Sequence, residues 1–116
     1  MTVNIYDDVN RLEATLRKTE EFAELSSAIE AVATDSEAVE LLKSFREIQE
    51  TIQEKQMSGE ELTEDLIQHA EKVAGEAQGN AKVLGMMEAE MKLSNLLQEI
   101  NGVLMEPIQK LYEQID

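Results

Sequence analysis

Three kinds of side chain in this sequence could take part in chemistry: a set of methionines, one histidine and many carboxylates. Met86, Met87, Met91 and Met105 lie in one leucine-rich segment. Thioether sulfur binds copper(I), usually with Cys or His nearby. Met86 and Met91 fall on different sides of a helix, and the single histidine, His69, is distant in sequence. Methionines at helical spacing among leucines indicate a packing surface, because the flexible thioether fills irregular gaps.

His69 and the carboxylates do not form a recognisable site either. Asp65 lies four residues before His69, on the same side of a helix. A carboxylate-bridged di-iron bundle needs two Glu-x-x-His motifs, and Leu66 stands where that Glu would be. Paired acids catalyse proton transfer only when burial or repulsion perturbs their pKa values, and no two acids share an apolar side. The acidic stretch GEELTED also departs from the calcium-loop pattern.

The remaining enzyme signatures are missing from the sequence. It has no P-loop, no glycine-rich phosphate turn and no serine in a nucleophile elbow. It contains no cysteine, which excludes disulfides, thiolate zinc and cysteine-ligated iron–sulfur clusters. We therefore predict a protein without catalytic residues, metal or cofactor.

Composition and charge narrow the class of partner. The chain has 116 residues, of which 42% are hydrophobic and 30% charged, as in one globular domain spanning residues 1–116. Its net charge of −15 disfavours direct binding to nucleic acid or to an anionic membrane, but allows a basic protein partner. No apolar run could span a bilayer, and the N-terminus lacks the features of a signal peptide, so we expect a cytoplasmic protein.

Helical periodicity runs through the whole chain. Apolar residues spaced by three and four predict a first helix from Ile5 to Arg17. Thr19 is a candidate N-cap for a second helix, and Thr34 with Glu37 forms a candidate capping box for a third. Along the third helix the apolar residues step by three and four as in a coiled-coil seam. That helix seam consists of Leu41, Phe45, Ile48 and Ile52.

The fourth and last helices are delimited by glycine, threonine and proline. Gly59 is placed to end the third helix and Thr63 to begin the fourth. The last long segment runs from Ala81 to Met105, and Pro107 predicts a kink or the start of a separate terminal helix. One wide side of this segment is apolar, and we predict it to be the interaction and packing face. The face comprises Met86, Met87, Met91, Leu93, Leu96, Leu97, Ile100 and Leu104.

These elements predict an all-α fold: an elongated bundle of five to six helices with antiparallel packing, completed by dimerisation. The packing face is wider than one neighbouring helix would cover. Leaving four or five leucines or isoleucines exposed would forgo roughly 6–15 kcal/mol, which is comparable to the stability of a whole domain. A compact bundle could bury them within one chain, and a dimer could bury them across two; the helix lengths favour self-association.

Three stretches carry a resemblance to a known family. NIYDDVNRLEATLR, REIQETIQEKQMSGEELTED and MEAEMKLSNLLQEINGVLMEPIQKLY resemble the YlbF/YmcA family of small helical bacterial proteins, and are most similar to its YheA branch. The likeness extends over nearly the whole chain. It implies an all-α protein that forms homo-oligomers.

The resemblance also implies a class of function. Better-studied relatives are adapters in a complex that modulates ribonuclease-dependent mRNA processing, with effects on competence, biofilm formation and sporulation. Those complexes carry iron–sulfur clusters held by cysteines, and this sequence has no cysteine to carry over. The cluster is therefore not expected here.

Two hypotheses follow from the sequence. The first is a cytoplasmic, non-catalytic helical adapter that binds itself and other helical or basic proteins. The alternative is an acidic nucleic-acid mimic that blocks a nucleic-acid-binding protein, suggested by the charge of −15. Mimicry requires carboxylates arrayed along one side, whereas Lys and Arg are dispersed among the acids.

Overall fold

A computed structural model describes residues 3–116 and shows five α-helices. They are α1 (Ile5–Leu16), α2 (Glu20–Ala33), α3 (Ser36–Ser58), α4 (Glu64–Gln78) and α5 (Ala81–Glu113). The described residues contain no strand. The predicted all-α class is confirmed, and the number of helices is the lower of the two expected.

The ends of most helices are set by local side-chain hydrogen bonds. Thr19 Oγ1 accepts from the Phe22 N–H at 3.2 Å, and Thr63 Oγ1 accepts from the Leu66 N–H at 3.2 Å. Both predicted N-caps are therefore confirmed. Gly59 ends α3 in the left-handed region with φ 76°, where a side chain would be strained, and the Glu60 N–H donates to the Lys55 carbonyl at 2.9 Å.

The cap of α3 differs from the prediction. Asp35, not Thr34, is the N-cap: its Oδ1 accepts from the N–H groups of Glu37 and Ala38 at 3.1 and 3.3 Å. Thr34 instead donates its hydroxyl to the Ala31 carbonyl at the end of α2. The Asp35 carboxylate also forms an ion pair with Lys82 of α5, whose Nζ lies 3.3 Å from Oδ2. Because the two residues are far apart in sequence, a local sequence pattern could not predict this contact.

The prediction of a separate terminal helix after Pro107 is wrong. α5 continues through Pro107 to Glu113. Proline removes one helical N–H, so the carbonyl of Val103, four residues earlier, loses its donor. Val103 is exposed, and water can satisfy that carbonyl.

The described residues fall into two units. The central unit is Ser27–Met87, and the terminal unit combines residues 3–26 with Glu88–Asp116. In the central unit α3 and α4 pack together as a hairpin across a short loop. Most of the buried residues belong to this unit: Val32, Ala38, Ile48, Val73, Ala77, Val83 and Met86.

The terminal unit is much less covered. Ala89 is its one buried residue among those described. An ion pair joins α2 to α5 within the unit, with Lys92 Nζ 3.2 Å from Glu24 Oε2. Both side chains are about half exposed, and such surface pairs contribute at most about 1 kcal/mol. The apolar contacts, rather than this pair, must therefore supply most of the stability of the unit.

Asp35 predicts a dependence of stability on pH. The Ala38 N–H and then the Lys82 side chain hold the pKa of Asp35 below its ordinary value of 3.8. A pKa that is depressed in the folded state contributes stability above the unfolded value, and loses it as pH falls through the folded value. Replacing Asp35 with Asn keeps an effective cap but removes the charge.

We expect Asp35→Asn to melt at a lower temperature than the wild type at neutral pH. The difference between the two melting temperatures should become smaller as the pH falls below 3.8, because the wild-type carboxylate then becomes protonated. Thermal melts followed by circular dichroism at several pH values measure this. A gap that stays constant through that range would show that the charge of Asp35 does not stabilise the fold.

Candidate interaction surface

The apolar side of α5 is covered at one end of the helix and open at the other. Val83, Met86 and Ala89 are buried, with Met86 only 2% exposed. Ile100, farther along the same side, is half-buried. The helix therefore begins as part of the core and continues as surface without losing its apolar pattern.

We call the uncovered continuation the terminal stripe, defined as Val103, Leu104, Ile108 and Leu111. These residues follow Ile100 on the same side of α5 at helical spacing. Leu104 and Leu111 are 60% and 64% exposed. From Asn101 to the end of the chain every residue is exposed. Nothing in the described chain covers the terminal stripe.

The first helix is similarly uncovered. α1 contains no buried residue. Ile5, Val9 and Leu12 lie on one side of it at spacings of four and three, and each is exposed. Charged side chains lie away from that side, with Arg11 Nη1 3.7 Å from Asp8 Oδ1. α1 is therefore an amphipathic helix whose apolar side has no partner helix burying it.

Charge is depleted where α5 becomes exposed. Between Leu93 and Met105 the one charged side chain is Glu99, in a protein of which 30% of the residues are charged. Charged residues are likewise depleted at the centres of protein–protein interfaces. Beyond this segment, Glu106 and Lys110 pair with each other at 3.4 Å, so they add no net charge beside the terminal stripe.

The structure separates the residues of the predicted packing face. Met86 is buried, whereas Met91 is 66% exposed on the polar side of α5. Leu97 and Leu104 are also exposed. The half-buried members are Met87, Leu93, Leu96 and Ile100.

The residues of the helix seam lie together in the central unit. Ile48 is buried in the chain. The other three members, Leu41, Phe45 and Ile52, are half-buried. The seam is therefore a largely covered side of α3, the helix that packs against α4.

A polar groove of about 500 Å³ lies between α3 and α4 in the central unit. Its walls carry carboxylates from α3 and both cationic and acidic side chains from α4. The groove is lined by Glu37, Glu40, Leu41, Ser44, His69, Lys72, Val73, Glu76, Gly79 and Asn80. These charges are solvated, because His69, Lys72 and the three glutamates are all exposed. The groove therefore offers no dry, enclosed site for catalysis.

No metal site is formed within residues 3–116. No group of three or more His, Asp or Glu side chains there is arranged to hold an ion. His69 is exposed on α4, and the acids of GEELTED and of the EAE segment are exposed as well. The carboxylates singled out in the sequence are thus solvated side chains spread over separate helices.

Two helix N-caps were not predicted from the sequence. Asn80 caps α5, with its Oδ1 accepting from the N–H groups of Lys82 and Val83 at 3.1 Å each. Asp35 caps α3 and pairs with Lys82. Asn directly before Ala81, at the predicted start of the last segment, is a signal that could have identified the first of these.

The family of the chain follows from comparison with known proteins. A family described as control of competence regulator ComK, YlbF/YmcA, matches residues 5–109. The chain belongs to the YlbF/YmcA family. The resemblance seen in the sequence is thereby confirmed, and the matched region includes all of α1 to α4 and most of α5.

Relatives named UPF0342 proteins match this YlbF/YmcA chain over nearly its whole length. A UPF0342 protein of Lysinibacillus sphaericus is 52% identical over 113 residues, covering 97% of this chain and 98% of its own. The UPF0342 protein YheA of Bacillus subtilis is 37% identical over 116 residues, covering 100% and 99%. These names state no catalytic activity.

Solved structures share the helical architecture of this YlbF/YmcA chain. A DUF964 protein of unknown function from Bacillus stearothermophilus has a TM-score of 0.82 and 31% identity, covering 93% of this chain and 95% of its own. YheA of B. subtilis has a TM-score of 0.71 and 32% identity, covering 95% and 100%. B. subtilis RicA, crystallised in complex with RicF, has a TM-score of 0.66 at 19% identity over all of both chains, which shows the fold alone.

Within residues 3–116, no helix has both the length and the apolar character needed to cross a bilayer.

Proposed function

We propose that this protein is a non-catalytic helical adapter that acts by self-association and by binding other helical proteins through its apolar helix surfaces. The observation that carries the proposal is the uncovered apolar side of α5 beyond Ile100, together with that of α1. Among the described residues no polar or charged side chain is buried, so none of them lies in a dry site suited to catalysis.

The energy of the uncovered side chains supports a binding role. Fully burying one Val, Leu or Ile contributes about 1.5–3 kcal/mol, and the four residues of the terminal stripe are between 42% and 68% exposed. Covering what remains exposed could therefore contribute roughly 4–7 kcal/mol. Contiguous exposed apolar surface of this kind marks protein–protein interaction sites in soluble proteins. Association would recover this energy, although part of it is lost to the entropy of binding.

The family also supports a role in binding and regulation. RicA has the same fold and was crystallised with a protein partner, RicF. The family description names control of a competence regulator, so we propose a regulatory adapter rather than a purely structural protein. The iron–sulfur cluster of the adapter complexes is left out, because this chain has no cysteine.

Mimicry of nucleic acid is less well supported. Basic side chains break up the acidic surface by pairing within it, as Lys55 does with Glu60 at 3.5 Å and Lys110 with Glu106 at 3.4 Å. A mimic binds through charge and would weaken as salt increases, whereas apolar self-association between two chains of −15 should strengthen as repulsion is screened.

The test is co-capture of an untagged copy by a tagged copy at micromolar concentration. We expect the untagged chain to be retained, and to be retained better at about 0.5–1 M salt than at about 0.01 M, where the Debye length is longest. The control is an unrelated acidic helical protein in place of the untagged copy. Failure to retain the untagged chain at any salt concentration would contradict self-association, and retention that falls with salt would favour an electrostatic contact.

A further inference from the structure

The C-terminal part of α5 is the surface that most needs a partner. Its apolar side continues directly from the buried Val83, Met86 and Ala89, so the pattern that builds the core is repeated where no core is present. Helix propensity alone does not require such a pattern, and the polar side of α5 shows that solvated residues are available.

Charge decides which partner fits this surface. A basic partner would gain little at the terminal stripe, because Glu99 is the one charge between Leu93 and Met105, and the Glu106 and Lys110 that follow pair with each other at 3.4 Å. A second copy brings the same apolar and charge-poor stripe. Two chains of −15 each therefore meet with least repulsion at this part of their surfaces.

We propose that the terminal stripe is covered by the terminal stripe of a second copy in a twofold contact. The assignment rests on the proposed self-association, and it locates the contact beyond Ile100 instead of over the whole face from Met86 to Leu104. A twofold contact is self-complementary, so each residue near its centre lies close to its own copy.

The first test adds charge to the stripe. The variant Leu104→Glu with Leu111→Glu places two carboxylates in the proposed interface, and the matched control Gln98→Glu with Gln109→Glu adds the same charge to the polar side of α5. Sedimentation equilibrium should show the control at the wild-type mass and the stripe variant at 13.0 kDa. The dissociation constant of the stripe variant should rise roughly 100-fold or more, as when central apolar anchors are lost.

The second test does not depend on how the charged variant folds. The chain has no cysteine, so Ile108→Cys introduces one thiol near the centre of the stripe and Gln109→Cys introduces one on the polar side. Under mild oxidation or a short bis-maleimide, Ile108→Cys should give a covalent species of twice 13.0 kDa and Gln109→Cys should give little. Circular dichroism before reaction confirms that both variants are folded.

The outcomes separate this assignment from the proposed function. A wild-type protein that is monomeric at every concentration would overturn self-association and this interface together. A wild-type oligomer whose mass is unchanged by Leu104→Glu with Leu111→Glu, or that cross-links equally through residues 108 and 109, would overturn the interface and leave self-association standing.

Discussion

Replacing Met86 with alanine is expected to lower the free energy of unfolding by about 2–5 kcal/mol, as the loss of a buried Met side chain does. Met86 is 2% exposed, so the truncation removes apolar contacts and leaves a cavity that its neighbours fill only in part. The effect is a large share of the roughly 5–15 kcal/mol that stabilises a typical domain.

Met91→Ala is the matched control for that variant. It makes the same chemical change on the same helix, five residues farther along and about 140° around the helix axis. Met91 is 66% exposed, so we expect its truncation to change stability by no more than about 0.5 kcal/mol. Urea unfolding at fixed protein concentration measures both. Equal effects of the two variants would contradict the burial of α5 described above.

The second large effect is expected at Val83, a fully buried side chain with 0% exposure. Val83→Asp places a carboxyl group in an apolar site, where burial raises the pKa by up to about 3–5 units. At about 1.36 kcal/mol per unit, the roughly three units between the unfolded pKa of about 3.9 and neutral pH destabilise the fold by up to about 4 kcal/mol, in addition to the lost apolar contacts.

The sign of the pH dependence for Val83→Asp follows from linkage. A raised folded-state pKa means that the penalty is smallest below the unfolded value of about 3.9 and grows as pH rises toward the folded value. The variant should therefore be unfolded or nearly so at neutral pH, and should recover relative to the wild type on acidification. Val3→Asp, at an exposed position before α1, should show neither effect. Thermal melts at several pH values measure this. A difference in melting temperature between Val83→Asp and the wild type that does not change with pH would show that residue 83 is accessible to water.

Local signals in the sequence were sufficient for most helix ends. Thr19, Gly59 and Thr63 act through hydrogen bonds or backbone conformations within a few residues, so their roles can be predicted without knowing the fold. Thr34 and Asp35 are adjacent residues of which either could cap α3. The structure uses Asp35, whose carboxylate also pairs with Lys82 of α5, and no local rule contains that contact.

The packing face was predicted as a set of residues but not as a division between covered and open parts. The periodicity of α5 identified an apolar side, yet Met86 and Leu104 carry equivalent sequence signals and are 2% and 60% exposed. The periodicity of one helix shows which side is apolar but not how much of that side is covered. The prediction also ended the face at Leu104 and placed a kink or a new helix at Pro107. Since α5 continues to Glu113, its apolar side extends to Leu111.

If the apolar side of α5 is buried by association with another copy, the wild-type protein must be oligomeric in solution. Sedimentation equilibrium over a wide range of micromolar concentrations tests this directly. We expect a mass of twice 13.0 kDa or a larger multiple, with dissociation favoured at low salt. A single species of 13.0 kDa at every concentration and salt condition would contradict it.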